Sequence, residues 1–398
     1  TANISGIEIL SINDDASAGT GIVNANLFAG VNSVTYRVVA AGNVTLNTPS
    51  GAFTVNDNVA GGIGGNFTVD AAGTGLTDAL TFVANSGGAG AVAYGGNITF
   101  TDYETVTWNI TDPTGATVAG TFQVNPNIGA AGVLNITGSV GAVFTGVVTA
   151  STLNASALSV AGITITGGMA AASNVTGSGF ADSILGSAAN DIISGGAGND
   201  TLQGGGGQDS ISLGAGQDVF EVRSTTANGT ALNALASGTA VGDFVTGLTA
   251  ATTDTIQIGI AAASVLTDAA GNVLIATDPA NVLAVASGST ITISASTANI
   301  IKLVGTTSTT ATNTGKAGFT QAMNGATLTV GLAANDDLTF VYYDSANAQA
   351  VLGIINDTTG GSIASAANDD VWTTLGKISM TAADYANLST INFADFIA

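Results

Sequence analysis

The sequence contains no cysteine and no histidine. A chain without these residues has no thiol nucleophile, no disulfide, no Ser-His-Asp triad, no HExxH zinc motif and no imidazole general base. Most hydrolase mechanisms are therefore excluded, and we expect no enzyme activity. Retaining glycosidases need only two carboxylates about 5 Å apart and are not excluded on this ground, but no such pair stands out.

Basic residues are scarce. Lys and Arg total 5 against 27 Asp and Glu, which gives a net charge of -22. Five cations cannot neutralise a phosphate backbone, so we expect no nucleic-acid partner, and an anionic membrane surface would repel the chain. Such an excess of acidic residues is typical of highly soluble proteins, of proteins from a halophilic or acidic setting, or of proteins whose carboxylates are neutralised by divalent cations on folding.

Long apolar runs are also missing. No run approaches the ~20 apolar residues that span a bilayer, so we expect no membrane insertion. The N-terminal Thr-Ala-Asn-Ile shows no basic region followed by an apolar stretch, so we expect no secretory signal peptide. A start at Thr instead of Met indicates a fragment or a processed chain, and the lack of cysteine fits an extracellular protein without disulfides.

The chain does contain many short alternations of apolar and polar residues, rich in Val, Ile, Thr and Phe. Examples are residues 79–83, 104–110 and 132–137. This pattern predicts short strands in a sandwich, a barrel or a solenoid, and the small residues of 151–169 suit the rungs of a parallel β-helix. We expect one helix near residues 380–388, with Thr381 as its N-cap.

A nine-residue repeat occupies residues 177–221, which read GSGFADSIL, GSAANDIIS, GGAGNDTLQ, GGGGQDSIS and LGAGQDVFE. Position six is always aspartate, and these are Asp182, Asp191, Asp200, Asp209 and Asp218. Position eight is always apolar. Glycines suited to tight turns occur mainly at positions one, two and four: Gly177, Gly179, Gly186, Gly195, Gly196, Gly198, Gly204, Gly205, Gly207, Gly214 and Gly216.

The spacing predicts a turn of six residues and a strand of three, with two nonapeptides in each coil. Stacked turns then bring together Asp182 with Asp200, Asp191 with Asp209, and Asp200 with Asp218. Two carboxylates and the carbonyls of the glycine turns form an all-oxygen cage that suits Ca²⁺. Without the ion the carboxylates would repel each other, so folding and metal binding should be one event. The alternative is a flexible Gly/Asn/Asp linker, which five in-phase repeats argue against.

A fainter copy of the repeat lies at residues 73–81, with Asp78 at position six and Leu80 at position eight. Asp78 is either a further calcium ligand or the capping residue of a β-turn. Three other Asx-rich clusters, at 13–15, 335–337 and 368–370, are better explained by turn chemistry than by metal binding.

The nonapeptide resembles that of the RTX (repeats-in-toxin) calcium-binding proteins. The resemblance implies a β-roll that holds several Ca²⁺ ions through the repeat aspartates and glycine turns. RTX proteases need HExxH and RTX lipases need a catalytic histidine, and RTX pore-forming toxins carry a long apolar helical region that is absent here. The Cys-free, acidic, Lys-poor composition is similar to that of the RTX surface-layer proteins of Gram-negative bacteria. A shared phrase occurs as Ile7-Glu8-Ile9-Leu10 and Tyr103-Glu104-Thr105-Val106.

Two segments after the repeats extend the resemblance. Residues 242–247 and 254–258 look like the cap that closes an RTX β-roll. The C-terminal residues 391–398 are similar to the uncleaved signal that type I exporters read, although an ordinary final strand is the alternative. The resemblance therefore implies a type I secretion exporter as a partner.

These observations together predict an all-β chain. We expect an irregular β-solenoid assembly region over 1–176, an RTX parallel β-roll over 177–221, and a β-rich capping region over 222–398 with the secretion signal at its end. The expected function is a calcium-dependent surface-layer or filament subunit outside the cell, which binds copies of itself and a cell-surface polysaccharide. The alternatives are an RTX adhesin and the non-catalytic C-terminal part of a secreted enzyme.

Overall fold

A computed structural model of the chain describes the following residues: 9–12, 21–28, 30–36, 43–57, 66–72, 78–85, 98–111, 121–123, 126–127, 132–224, 243–248, 254–260, 282–286, 290–293, 300–308, 316–323, 327–332, 336–357, 361–363, 371–389 and 392–395. The chain divides into two compact units, Thr1–Asp200 and Thr201–Ala398, each of which is described by itself. The division falls inside the nonapeptides, and the predicted division into three regions stays a prediction.

The strands form where apolar and polar residues alternate in the sequence. In Thr105–Thr111, the side chains of Val106, Trp108 and Ile110 are buried, while those between them are half-buried. Extended backbone places successive side chains on opposite faces, and β-branched residues favour this conformation. Each strand therefore turns its apolar face to the core.

Where the structure describes it, the first unit forms strands and one short 3₁₀ helix, Ala25–Leu27. The strands are β1 (Ile9–Ile12), β2 (Gly21–Asn24), β3 (Ser33–Tyr36), β4 (Val44–Thr48), β5 (Ala52–Asp57), β6 (Phe67–Ala71), β7 (Ala79–Asn85), β8 (Ile98–Thr101), β9 (Thr105–Thr111), β10 (Thr121–Gln123), β11 (Pro126–Asn127), β12 (Val133–Gly138), β13 (Gly141–Phe144), β14 (Thr152–Leu158), β15 (Ile163–Ile165), β16 (Asn174–Thr176), β17 (Ser183–Leu185) and β18 (Ile192–Ala197).

The strands of the first unit form three parallel sheets. One sheet runs in the order β1-β3-β5-β7-β9-β12-β14-β16-β18. A second contains β2-β4-β6-β8-β11, and a third contains β10-β13-β15-β17. Successive strands of one sheet are separated in sequence by a strand of another sheet, which is the winding of a β-solenoid.

The coils of this solenoid differ in length, and the shortest lies at the nonapeptides. Thr54 pairs with Thr81, 27 residues later. Asn154 pairs with Thr176 after 22 residues, and Thr176 pairs with Ser194 after 18. The last spacing equals two nonapeptides, which confirms the predicted coil length.

The longer of these coils contain a cluster of aromatic side chains in the core. In the long coils, Phe82 packs edge-on against Phe67, Phe100 and Trp108, with ring centroids 5.8, 5.9 and 5.5 Å away. Such edge-to-face pairs add to the stability that burial provides. In the short coils the buried position-eight residues are smaller, as at Ile184 and Ile193.

The described residues of the second unit form strands and two α-helices, α1 (Lys316–Met323) and α2 (Ala382–Asn387). Its strands are β19 (Thr201–Gln203), β20 (Ser210–Ala215), β21 (Val219–Ser224), β22 (Asp243–Thr246), β23 (Thr255–Ile260), β24 (Val282–Ala286), β25 (Thr290–Ile293), β26 (Ile300–Ser308), β27 (Thr327–Leu332), β28 (Asp336–Asp344), β29 (Gln349–Asp357), β30 (Gly361–Ile363), β31 (Val371–Ser379) and β32 (Phe393–Asp395).

Parallel pairing continues in the second unit, joined by an antiparallel hairpin. One parallel row is β19-β21-β23-β32, and another is β20-β22-β31. Strand β31 then pairs antiparallel with β29 and β29 with β28, and the parallel strands β26 and β24 follow. A smaller sheet contains β25, β27 and β30.

The structure confirms the predicted fold class, an all-β chain with parallel solenoid sheets. It also confirms the expected helix, α2, where the Thr381 side chain accepts a hydrogen bond from the backbone N–H of Asp384 as an N-cap. Helix α1 was not expected from the sequence.

Neither α-helix in the described part of the chain is long and apolar enough to cross a membrane.

Candidate calcium sites

The position-six aspartates all occupy the same place in the fold. Strands β17 to β21 each begin at the residue after one of them. At most 3% of each of these side chains is exposed: Asp182, Asp191, Asp200, Asp209 and Asp218. The position-eight side chains are buried as well: Ile184, Ile193, Leu202, Ile211 and Phe220. Each repeat therefore contains a turn that ends at position six and a strand that begins at position seven, as the spacing predicts. Strands β18 and β20 are longer than the predicted three residues and continue through position three of the next repeat.

Carboxylates of these aspartates contact the backbone of the preceding coil. Asp182 Oδ1 accepts a hydrogen bond from the backbone N–H of Ile163 at 2.6 Å, and Asp191 Oδ1 accepts one from that of Ser173 at 2.7 Å. The backbone N–H of Asp182 donates to Asp200 Oδ1 at 2.9 Å. Asp182 and Asp200 therefore lie on stacked coils, two repeats apart, as predicted.

Two of the carboxylates also close their own turns. The backbone N–H of Ser178 donates to Asp182 Oδ2 at 2.6 Å, and that of Ser187 donates to Asp191 Oδ2 at 2.7 Å. Burial raises the pKa of Asp182, and the hydrogen bonds from Ser178 and Ile163 lower it in part because they favour the ionised form. The backbone thus holds these carboxylates in fixed positions beside the turn.

Glycines at positions two and four of the last three repeats have positive φ: Gly196, Gly198, Gly205, Gly207, Gly214 and Gly216. At Gly196 a Cβ would lie 2.0 Å from the backbone oxygen of Ser178. At Gly198 it would lie 2.4 Å from the carbonyl carbon of Phe180. The coils approach too closely at these two positions for any side chain, so glycine is required there.

The position-one glycines Gly177 and Gly204 lie in close contact with the carboxylates. A Cβ on Gly177 would lie 2.6 Å from Asp182 Oδ2, and one on Gly204 would lie 2.1 Å from Asp209 Oδ2. The backbone oxygen of Gly195 lies 2.1 Å from the position of a Gly177 Cβ, and Gly186 accepts a hydrogen bond from the backbone of Met169. A side chain at Gly177 or Gly204 would therefore clash with the neighbouring carboxylate.

Gly179 differs from the other predicted turn glycines. A Cβ there would meet no atom within 4 Å, and its φ is not positive. The structure therefore gives no reason for glycine at this position.

The chemistry of the turns fits calcium, because their donors are carboxylate and backbone carbonyl oxygens. Ca²⁺ takes about 6–8 oxygen ligands in flexible geometry. Among the described residues no group of three or more His, Cys, Asp or Glu side chains could hold a metal. Backbone carbonyls of the turns would therefore have to supply ligands together with the carboxylates, as the sequence predicts.

Comparison with protein-family models decides the nature of the turns. The model of the RTX calcium-binding nonapeptide repeat (4 copies) matches residues 173–202 and 185–220. These residues are RTX repeats. The match covers a minor part of the chain, so the likeness to surface-layer proteins stays a prediction. No curated protein and no solved structure matches the chain.

Two further aspartates, which sequence reasoning did not place among the ligands, continue the pattern of the RTX repeats. Asp243 Oδ1 accepts a hydrogen bond from the backbone N–H of Asp209 at 3.2 Å. Asp254 Oδ1 accepts one from the backbone N–H of Asp218 at 3.0 Å. Each lies at or just before the start of a strand, β22 or β23, as the repeat aspartates do. The signal in the sequence is an aspartate directly before an apolar strand in the segments interpreted as a cap.

The stacked pair of Asp209 and Asp243 is electrostatically strained without a cation. Burial, and then the nearby charge of Asp209, raise the pKa of Asp243 to about 8. Two close carboxylates cannot both ionise cheaply in a buried place, and a divalent cation between them would remove that cost.

Asp78, the candidate of the fainter repeat, occupies an equivalent place before β7. Its Oδ1 accepts a hydrogen bond from the backbone N–H of Gly51, and its own N–H donates to Glu104 Oε2 at 2.7 Å. The side chain is 3% exposed, and its Oδ2 is buried without a hydrogen-bond partner. Asp78 thus stacks as the RTX aspartates do, and its role as a ligand stays a prediction.

The three other Asx-rich clusters are only partly described. Asp336 and Asp337 lie at the start of β28. Residues 13–15, 335 and 368–370 lie outside the described residues, so the structure does not address them.

Proposed function

We propose that this protein is a structural subunit of an extracellular surface layer or filament, which folds when Ca²⁺ fills its RTX repeats and then assembles with copies of itself. The observation that carries the proposal is the row of buried carboxylates in the glycine turns of the last three repeats, Asp200, Asp209 and Asp218. Their burial is costly unless a cation compensates it.

Dependence on calcium would determine where such a chain folds. RTX repeat proteins are typically secreted, and extracellular calcium sites bind in the range of about 0.1–1 mM. A chain of this kind would stay unfolded in a cytosol poor in calcium, pass through a type I exporter, and close its β-roll outside the cell. Calcium would thereby confine folding to the correct side of the envelope.

The surface of the first unit supports assembly. Within the described residues, β2 pairs on one side only, with β4. Its Ile22 is 63% exposed, and Leu27 just after it is 77% exposed. An exposed edge strand with apolar side chains is a template for pairing with another chain. A second copy of the chain, or a cell-surface polysaccharide, is the partner that we propose for this solenoid.

The test is assembly of the purified chain in calcium and in sodium at matched ionic strength, followed by light scattering and negative-stain electron microscopy. We expect ordered sheets or filaments at a few millimolar calcium and monomers in sodium. Monomers that stay monomeric in calcium yet bind a glycan or a cell surface would favour the adhesin instead. Equal assembly in both salts would contradict a role for calcium.

A further inference from the structure

The five RTX turns fall into two conformational classes. In the last three repeats, glycine occupies positions two and four, and all six of these glycines have positive φ. In the first two repeats the same positions hold Ser178 and Phe180, and Ser187 and Ala189. Among the described residues, positive φ outside glycine occurs only at Asp102 and Ala348, so the first two turns have a different backbone.

In the first class a serine hydroxyl closes the turn. Ser178 Oγ lies 3.1 Å from both carboxylate oxygens of Asp182 and 3.2 Å from the backbone oxygen of Phe180. It also accepts a hydrogen bond from the backbone N–H of Phe180 at 3.0 Å. The side chain therefore connects the position-four peptide with the position-six carboxylate.

The second repeat reproduces the arrangement. Ser187 Oγ donates to Asp191 Oδ2 at 2.8 Å and lies 3.3 Å from the backbone oxygen of Ala189. The backbone N–H of Ala189 donates to Ser187 Oγ at 3.0 Å. The same contacts in two turns of different sequence show that serine at position two determines this conformation.

The hydroxyl stands among the oxygens that a cation in the turn would need. It lies within hydrogen-bond distance of the position-four carbonyl and the position-six carboxylate, and its single proton can be donated to the carboxylate, which partly compensates the negative charge that a cation would otherwise neutralise. A calcium ion at this place would have to displace the hydroxyl. It would also have to convert the backbone to positive φ, which serine resists.

We infer that Ser178 and Ser187 replace calcium in the first two RTX turns, so that turns 177–182 and 186–191 fold without the ion, whereas turns 195–200, 204–209 and 213–218 hold it. This inference rests on calcium binding by the repeats, as in the proposed function. The serine-capped turns follow the upstream solenoid of the first unit directly, since β16 pairs with β18. They supply a folded, calcium-independent end from which the calcium-dependent turns can form.

The first test is hydrogen–deuterium exchange with mass spectrometry on the full chain, with excess chelator and with millimolar calcium. We expect amides of 173–194 to be equally protected in both, and amides of 195–221 to gain at least tenfold protection in calcium. Calcium-dependent protection of both segments alike would overturn the inference while leaving calcium binding intact. No calcium response anywhere would overturn the proposed function together with the inference.

The second test replaces the two serines. The double variant Ser178→Gly, Ser187→Gly restores glycine at position two, and we expect it to bind more calcium ions than the wild-type chain by isothermal titration calorimetry. Its 173–194 amides should become calcium-dependent in the exchange experiment. The control is Ser183→Gly, Ser194→Gly, the same change in the strands of the same two repeats, which should bind as many ions as the wild type. Equal ion numbers in all three chains would count against the inference.

Discussion

At the scale of single residues, the pair Asp209 and Asp243 determines how the calcium-free protein responds to pH. Burial and the charge of Asp209 raise the pKa of Asp243 from 3.8 to about 8. A carboxyl with a higher pKa in the folded than in the unfolded chain stabilises the fold fully below the unfolded pKa, and the contribution is lost as pH rises through the folded pKa. In chelator, this group should therefore lower the free energy of unfolding between about pH 4 and about pH 8.

We expect Asp243→Asn to remove this part of the pH dependence. Asparagine is neutral at every pH, and its side-chain oxygen can still accept the hydrogen bond from the backbone N–H of Asp209. Far-UV circular dichroism of both chains in chelator at several pH values between 4 and 9 measures the difference as the β signal that remains, since the calcium-binding turns are expected to unfold in chelator near neutral pH. The wild-type chain should lose more stability than the variant as pH rises, and parallel curves would show that Asp243 is not protonated in the folded chain.

The candidate site was predictable from residues only where the spacing is regular. The five position-six aspartates repeat every nine residues, and this period alone predicts their stacking. Asp243 lies 34 residues after Asp209, and Asp254 lies 36 after Asp218, so each coil here is about twice as long as the 18-residue step of the repeats. Only the pairing of the strands shows that they continue the same positions. The hydrogen bonds of Ser178 and Ser187 could not be predicted for another reason. These serines stand where the later repeats have glycine with positive φ, and the backbone of the turn differs with them.

At the scale of elements, contact between successive coils explains which glycines the repeats need. Gly198 has φ of +119°, and a Cβ there would lie 2.4 Å from the backbone of Phe180 in the preceding coil. Gly179 belongs to the same set of turn glycines, but a Cβ there would meet nothing within 4 Å. The two positions form a matched pair in the first unit.

We expect Gly198→Ala to destabilise the protein by at least about 2 kcal/mol, because it adds both backbone strain and a clash between coils. Gly179→Ala should change stability by less than about 1 kcal/mol in either direction, since Ala lowers the entropy of the unfolded chain without strain. Denaturant unfolding of both variants in saturating calcium measures the two values. Similar losses in both would mean that the coils can separate at Gly198 at little cost.

The sequence predicts strands better than it predicts α1. Strands follow from alternation, and α2 follows from Thr381, whose side chain caps the helix as expected. Helix α1 contains Gly318, and its sequence gives no comparable start. Its Phe319 is buried against Phe340, with ring centroids 4.6 Å apart. Tertiary packing therefore stabilises α1 where local propensity does not, and such packing cannot be read from a single sequence.

At the scale of the whole molecule, the net charge of -22 makes the calcium requirement of assembly different from that of folding. Each bound Ca²⁺ adds two positive charges, so a few occupied turns leave the chain strongly negative. Like charges on two copies repel over a Debye length of ~8–10 Å near physiological salt. Copies can approach only when further cations bind the exposed carboxylates or bridge them between chains. The buried turns and the exposed faces therefore differ in their demand for calcium.

We expect two transitions in one calcium titration of the full chain, with folding by far-UV circular dichroism at lower calcium than assembly by light scattering. Folding uses buried carboxylates that salt screens poorly, so added sodium chloride should hardly move the first transition. Assembly depends on exposed charges, so the same salt should move the second. Magnesium at matched concentration is the control, because it demands near-octahedral geometry, sheds water reluctantly and should cause neither transition. If the two transitions coincide at every salt concentration, assembly follows from folding alone and the surface charge does not control it.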